Sequence, residues 1–582
     1  MKKIITIILI LVLCISMVGS GIYFYITNKD NIKANGIWSI ITNKTGKTSK
    51  SEKLIDDWQY SSKDVYDGMK NYSSISIAES AVSDSTIGLS VGGAKNINNF
   101  RENIENGYFP ISTDITYNGI YSDYYFNTGK KVESTEMFSP AYSTAISKDP
   151  ISGKNEYYMT VGLNSNIKQS DFKRKKLNIV IALDISGSMS SNFNSYYYDG
   201  NSEEISKSIK NKMEIANESV NLLLDELKED DRVGIVLFDD EAYLAKEVNL
   251  VKKTDMEKIK EHVLEIKPQG GTNFEEGYKL GTQLFTEEML TNSEYENRII
   301  VITDAMPNMG KTSKNLLVNN IEHNADKGIY TSFIGVGVDF NTSVVETLSN
   351  VKGSNYYSVH NSEEFKKIMS ENFDYMVTPL VFDLNFTLES DFFEIENIYG
   401  TDSGDKTTGS IMSINTLFPS STNSSGESKG GIILLKLKEK NNNNYDNSNC
   451  NIKLKVSYTD REGNNKTNEQ NVQFEKGLSE YYSNTGIRKG IVLARYVNLM
   501  KNWILYERNE LNKEYLITDE TGIKECCVTV LGENERKSVK LTVSDEYKNL
   551  FGKFYEYMKS EVEYLGDNDM KQELQILNII MR

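Results

Sequence analysis

Two apolar runs in this chain each end on an aspartate, and a parallel sheet covered on both faces is the architecture that buries runs of that kind. The first, Ile179 to Leu183, closes on Asp184 within the string LNIVIALDISGSMS, Leu177 to Ser190. The second, Ile299 to Ile302, is followed by Thr303 and Asp304. Alternate side chains of an extended segment share a face, so Asp184, Ser186 and Ser188 converge where the first strand leaves the sheet. Gly187 between them lets the backbone turn closely. A third piece, Gly270-Gly271-Thr272-Asn273, presents a hydroxyl on a glycine-flanked loop just ahead of a helical pattern. In a doubly wound sheet ligands gather beyond the carboxyl ends of the strands, so Thr272 and both aspartates can meet there. Hard oxygen donors of this kind suit Mg²⁺, Mn²⁺ or Ca²⁺ rather than zinc or copper.

DISGS, then GGTNF, then VITDAMPN, in that order, resemble the metal-ion-dependent adhesion site of von Willebrand factor type A domains, bacterial membrane-anchored members included. The resemblance covers roughly residues 176–377. It implies a divalent cation, Mg²⁺ first with Mn²⁺ or Ca²⁺ as alternatives, held by Asp184, Ser186, Ser188, Thr272 and Asp304, some directly and some through water. It also implies that a partner's carboxylate completes the shell. One position departs from the pattern: Ala305 follows the last aspartate where many members have glycine. This reading requires the five donors to cluster around one cation, in a pocket that no lysine plugs.

Single cores seldom exceed about 250–300 residues, so a chain of 582 residues holds several domains. The apolar run Ile4 to Ile26, behind Lys2-Lys3, is long enough to span a bilayer as a helix of about 20 residues. It reads as a signal anchor or a cleavable signal peptide over residues 1–28, with Tyr23, Phe24 and Tyr25 at the interface. Residues 29–74 read as a polar spacer and 75–175 as a β-rich flank. The type A domain follows at 176–377, a β-sandwich flank at 378–478, and a mainly helical region at 479–582. The expected fold is thus α/β, a doubly wound, mostly parallel, Rossmann-like sheet inserted between β-rich flanks that pair into one sandwich. A transmembrane helix precedes it.

Within this frame, Ile209, Met213, Ala216, Val220, Leu223, Leu224 and Leu227 repeat at helical spacing. Helices are also expected at Leu316–Ala325, Val344–Leu348 and Phe365–Met376, and a strand at Tyr121–Phe126. An insertion, Asn192 to Glu204, carries Tyr196, Tyr197 and Tyr198, either a ligand grip or a lid closed on its own domain.

Several chemistries are disfavoured. A formal net charge of −17 makes nucleic acid an unsuitable partner. Cys14, Cys450, Cys526 and Cys527 have no zinc spacing, and no HExxH helix accompanies His262, His323 and His360. Gly335-Val336-Gly337 follows a strand but lacks the third glycine and the acidic ribose partner of a dinucleotide site. The expectation is therefore a non-enzymatic, single-pass membrane protein with its bulk outside the cytoplasm, or secreted if the leader is cut. Its metal site captures an acidic group on a protein or cell-surface ligand. The alternatives are an assembly module of a membrane complex and, with less support, a metallohydrolase or a channel-associated protein.

Overall fold

In the computed structural model the chain divides into two units, Met1–Ile55 and Asp56–Arg582. The structure describes residues 53–61, 86–95, 97–129, 136–193, 195, 210–304, 311–338, 350–359, 362–370, 372–401, 411–440, 451–475, 478–508 and 537–582. The apolar run Ile4 to Ile26, the tyrosines 196–198, Ala305, the helix expected at Val344–Leu348 and all four cysteines lie outside them. Among the described residues no helix is long and apolar enough to cross a membrane. The rest of this account concerns the second unit.

A seven-stranded sheet forms the centre of the inserted domain. Its strands are β1 (Gly93–Lys95), β2 (Lys176–Asp184), β3 (Arg232–Phe238), β4 (Ala242–Leu250), β5 (Tyr295–Thr303), β6 (Ile329–Val336) and β7 (Asn355–Val359). Their spatial order is β1-β7-β6-β5-β2-β3-β4. Every neighbouring pair is parallel except β3 and β4. The β2 run is apolar on both faces because helices cover both. Ile179, Ile181 and Leu183 pack with Val220 of α1 (Lys212–Asp225), Ile259 of α2 (Met256–Leu264) and Phe365 of a helix at Ser362–Met369. Val180 and Ala182 pack with Phe274 and Tyr278 of α3 (Phe274–Gln283) and Ile321 of α4 (Lys311–Asp326). Burying each such side chain is worth about 1.5–3 kcal/mol, which pins the strand's register and therefore its last residue.

The flanks on the two sides of this domain interleave. One antiparallel sheet runs in the order Asn465–Gln473, Asn451–Asp460, Val381–Glu389, Ile411–Ser420, Thr86–Val91, Asn164–Lys168. The other runs Phe393–Tyr399, Ile432–Glu439, Asn155–Gly162, Ala141–Lys148, Tyr481–Tyr482. Their inner faces share one core that includes Leu89, Phe386 and Val456 from the first sheet and Met159, Val161 and Leu435 from the second. A third core sits on the outer face of the second sheet. There the helix Thr485–Glu507 packs on Ala145, Tyr158 and Leu434, and with Asn98–Glu105, Tyr117–Asp123, Asp545–Leu565 and Lys571–Met581.

Four expectations need correction. Tyr121–Phe126 is not one strand: Thr116 caps a helix over Tyr117–Asp123 by accepting from Gly119 N at 2.9 Å, and only Tyr125–Phe126 is extended. The helix expected at Phe365–Met376 breaks into Ser362–Met369 and Phe373–Met376. β4 was not foreseen, because its half-exposed residues follow neither period. Residues 56–61, inside the stretch read as a polar spacer, strap onto that strand. Gln59 N donates to the Ala245 carbonyl at 2.8 Å. Asp57 accepts from Lys246 Nζ at 3.1 Å, and Trp58 stacks on His262 with ring centroids 5.3 Å apart.

Candidate metal centre at the strand ends

β2 and β5 are adjacent and parallel with Ile302 opposite Leu183, so Asp184 and Asp304 emerge side by side at their carboxyl ends. Both are fully buried. Beyond Asp184 the chain stays extended at Ser186 and then turns through Gly187–Ser190. A chain of hydrogen bonds results. Asp184 Oδ1 accepts from Ser186 N at 2.8 Å, Ser186 Oγ lies 3.0 Å from Ser188 Oγ, and Ser188 Oγ donates to Asp304 Oδ1 at 2.7 Å. Four of the five residues singled out from the sequence are thereby joined.

Thr272 is brought to the same edge by its backbone. Gln269 N donates to the Ile185 carbonyl at 2.6 Å, and Gly187 N donates to the Gly270 carbonyl at 3.0 Å. The loop also leans on Asp239: Gln269 Nε2 donates to its carboxylate at 2.8 Å and Asn273 N to its carbonyl at 2.5 Å. Gly270 has φ +65°, and a Cβ there would stand 2.8 Å from Asp240 Oδ2, so only glycine lets the loop lie so close. Among the described residues no hydrogen bond links the Thr272 hydroxyl to the other four donors. Thr272, Gly187 and Ser188 are half-buried, while the two carboxylates are fully buried.

Two partners of the site escaped the sequence reading. The Thr303 hydroxyl donates to Asp184 Oδ2. Lys212, the first residue of α1, places Nζ 3.0 Å from Asp304 Oδ2 with both side chains fully buried. A buried lysine therefore lies in the pocket, against the expectation, and what the metal reading keeps is the meeting of Asp184, Ser186, Ser188 and Asp304 at one edge of the sheet. Each had a signal. Thr303 stands one step beyond the Ile302–Leu183 pair, level with Asp184. Lys212 is three residues after Ile209 and four before Ala216, a charged residue on the apolar stripe of its helix.

The lysine pairs with Asp304, and the two carboxylates remain buried beside one another. Burial, and then the charge of Asp304, push the Asp184 carboxyl up to about 7, against the pull of the Thr303 and Ser186 hydrogen bonds. The all-oxygen donor set of two carboxylates and two serine hydroxyls fits a hard divalent cation. Asp184, Ser186, Ser188 and Asp304 would hold it, with Thr272 on the loop brought to the same edge. Neither His262 nor His323 enters this hydrogen-bonded chain; His262 is engaged by Trp58 and Asp56 on the strap, and His360 lies outside the described residues.

Comparison with known proteins finds the following similarities. Residues 179–307 match the family model described as von Willebrand factor type A domain. Inter-alpha-trypsin inhibitor heavy chain H2 of Mus musculus is 22% identical over 213 residues, 36% of this chain and 20% of that protein. The uncharacterized protein YfbK of Escherichia coli (strain K12) is 22% identical over 231 residues, 39% of this chain and 36% of that one. The solved von Willebrand factor type A protein from Catenulispora acidiphila aligns over 77% of this chain and 92% of its own, at 11% identity and a TM-score of 0.44. The chain thus spans only a fifth of the length of the heavy chain it matches.

Proposed function

We propose that this chain, which carries a von Willebrand factor type A domain, is a metal-dependent binding protein that captures an acidic group on a protein or cell-surface ligand. The observation that carries this reading is the pair of buried carboxylates on adjacent strand ends, bridged by two serine hydroxyls. A divalent cation, Mg²⁺ first, would supply a positive centre with a position free for an incoming carboxylate. The chain's own part is to hold the donors rigid. β2 and β5 fix Asp184 and Asp304, the turn after Asp184 aims the two serines, and the glycine loop carries Thr272 to the same edge. Catalysis needs a base or nucleophile free beside the cation, and in this reading Asp184, Ser186, Ser188 and Asp304 are all taken up as its donors. We read the protein as non-enzymatic on that ground. The apolar run Ile4 to Ile26 supports a membrane tether with the globular part outside the cytoplasm.

The test is a pull-down from the native cell envelope with Mg²⁺ or with EDTA, comparing wild type with Asp184→Ala. Capture should disappear on chelation and in the variant, while far-UV circular dichroism stays unchanged. Equal capture by both proteins in EDTA overturns the reading.

A further inference from the structure

The loop that carries Thr272 is held by the strap at residues 56–61 as well as by the strand ends. The strap extends the inserted sheet beyond β4: Trp58 bridges antiparallel to Lys246, next to the bond from Gln59 N to the Ala245 carbonyl. Trp58 and Tyr60 stand at alternate positions, and both rings pack on the core of the domain. Asp57 anchors the same segment, pairing with a Lys246 side chain that has no exposed surface and accepting from Asn249 Nδ2 at 2.6 Å. The end of the strap then reaches the loop. Gln269 Nε2 donates to the Tyr60 hydroxyl at 3.2 Å and to Asp239 Oδ2 at 2.8 Å. Tyr243 donates its hydroxyl to Asp239 Oδ1 at 3.0 Å, and its ring lies 5.5 Å from that of Tyr60. Tyr60, Gln269, Asp239 and Tyr243 thus close a ring of contacts. Along the chain Thr272 falls between two points tied to that ring: Gln269, whose N also bonds the Ile185 carbonyl, and Asn273, whose N bonds the Asp239 carbonyl.

We propose that Tyr60 is a positioning residue of the metal centre, and that strap docking and cation binding strengthen one another. This rests on the metal reading given above. Tyr60 touches none of the five donors; it acts through Gln269. With the strap docked, Gln269 is held at its side chain by Tyr60 and Asp239 and at its backbone by Ile185. Residues 269–273 are then ordered before a cation arrives, and little ordering cost falls on binding. With the strap off, Gln269 loses one partner, and Asp239 and Tyr243 lose the ring that covers them. The cation must then fix the loop itself, which weakens its binding. Linkage makes the effect reciprocal: a bound cation holds the loop, and the held loop presents Gln269 to Tyr60. Anything that draws the strap from β4 therefore lowers cation affinity.

The experiment titrates Mn²⁺ by calorimetry into the full chain purified in detergent. It compares wild type, Tyr60→Phe, the double variant Trp58→Ala with Tyr60→Ala, and Asp184→Ala. Tyr60→Phe keeps the ring on Tyr243 and deletes only the hydroxyl. It should weaken Mn²⁺ binding roughly two- to tenfold, the range one neutral hydrogen bond is worth. The double variant should weaken it further, and Asp184→Ala should not bind. The reciprocal readout is amide hydrogen exchange in wild type. Mn²⁺ should slow exchange at Gln59 severalfold and leave Asn155–Gly162 of the sandwich unchanged. A strap with a merely structural role would move neither readout. If wild type binds Mn²⁺ and Asp184→Ala does not, while Tyr60→Phe binds as wild type does or Gln59 exchange ignores Mn²⁺, the strap inference fails and the metal reading survives. If wild type does not bind Mn²⁺, both fall. Should the double variant not fold, Tyr60→Phe and the wild-type exchange decide.

Discussion

Two buried clusters of charge in this molecule are balanced in opposite directions. Glu156, on the second sheet of the sandwich, faces two cations: Arg495 Nη2 lies 2.7 Å and Lys436 Nζ 2.9 Å from its carboxylate oxygens. Burial alone would raise its carboxyl, but those two cations outweigh it and hold the group at about 2. At the strand ends the shift is reversed: Lys212 pairs with Asp304, while burial and the Asp304 charge push the Asp184 carboxyl up to about 7. The first cluster is closed: Arg495 sits on the helix Thr485–Glu507, so the contact fastens the helical core to the sheet. The second sets two carboxylates side by side at a sheet edge behind half-buried residues. Where cations outweigh burial the cluster acts as a fastening, and where burial and a like charge win the carboxylate is left in a state that a cation would relieve.

Perturbing each cluster should separate them by sign as well as size. Glu156→Ala leaves two cations without their buried partner and should destabilise the fold by about 3 kcal/mol, read by urea unfolding. Acid acts on the same contact more gently. A carboxyl depressed from 4.5 to about 2 contributes stability that is complete above 4.5 and is lost as pH falls toward 2. The stability gap between wild type and Glu156→Ala should narrow over that window, and a constant gap would remove the latch interpretation. The smallest effect should have the opposite sign. Asp184→Asn keeps an acceptor for Ser186 N but deletes one of two facing like charges, so at about pH 8 the metal-free protein should gain ~1 kcal/mol in stability. Its melting temperature should no longer respond to Mn²⁺. A loss comparable to that of Glu156→Ala would make the strand-end cluster another structural fastening.

What the sequence disclosed follows from how each part is buried. β2 and β5 were legible because helices on both faces force a continuous apolar run, and the first polar residue after such a run marks where the strand leaves the core. The donors Asp184, Ser186, Ser188 and Asp304 lie within a few residues of those exits, so their convergence was legible too. Lys212 was not, since an insertion separates it from the DISGS string and only the third dimension brings it back to Asp304. The β1 strand was hidden because three residues, Gly93–Lys95, carry no periodicity at all. The aromatic stretch Tyr121–Phe126 looked like a strand because large rings favour sheets. Here they are drawn into a helix and its exit, packed on the C-terminal helices.

That three-residue strand has a wider consequence. It belongs by sequence to the flank that precedes the insert, yet it hydrogen-bonds to β7 and forms one border of the inserted domain's sheet. Host and guest therefore share a wall, and no pair of cuts along the chain releases the guest whole. A fragment trimmed to residues 176–377 would carry a raw border at Asn355–Val359, an invitation to clump with its own copies. The folding unit is the braid rather than the cassette.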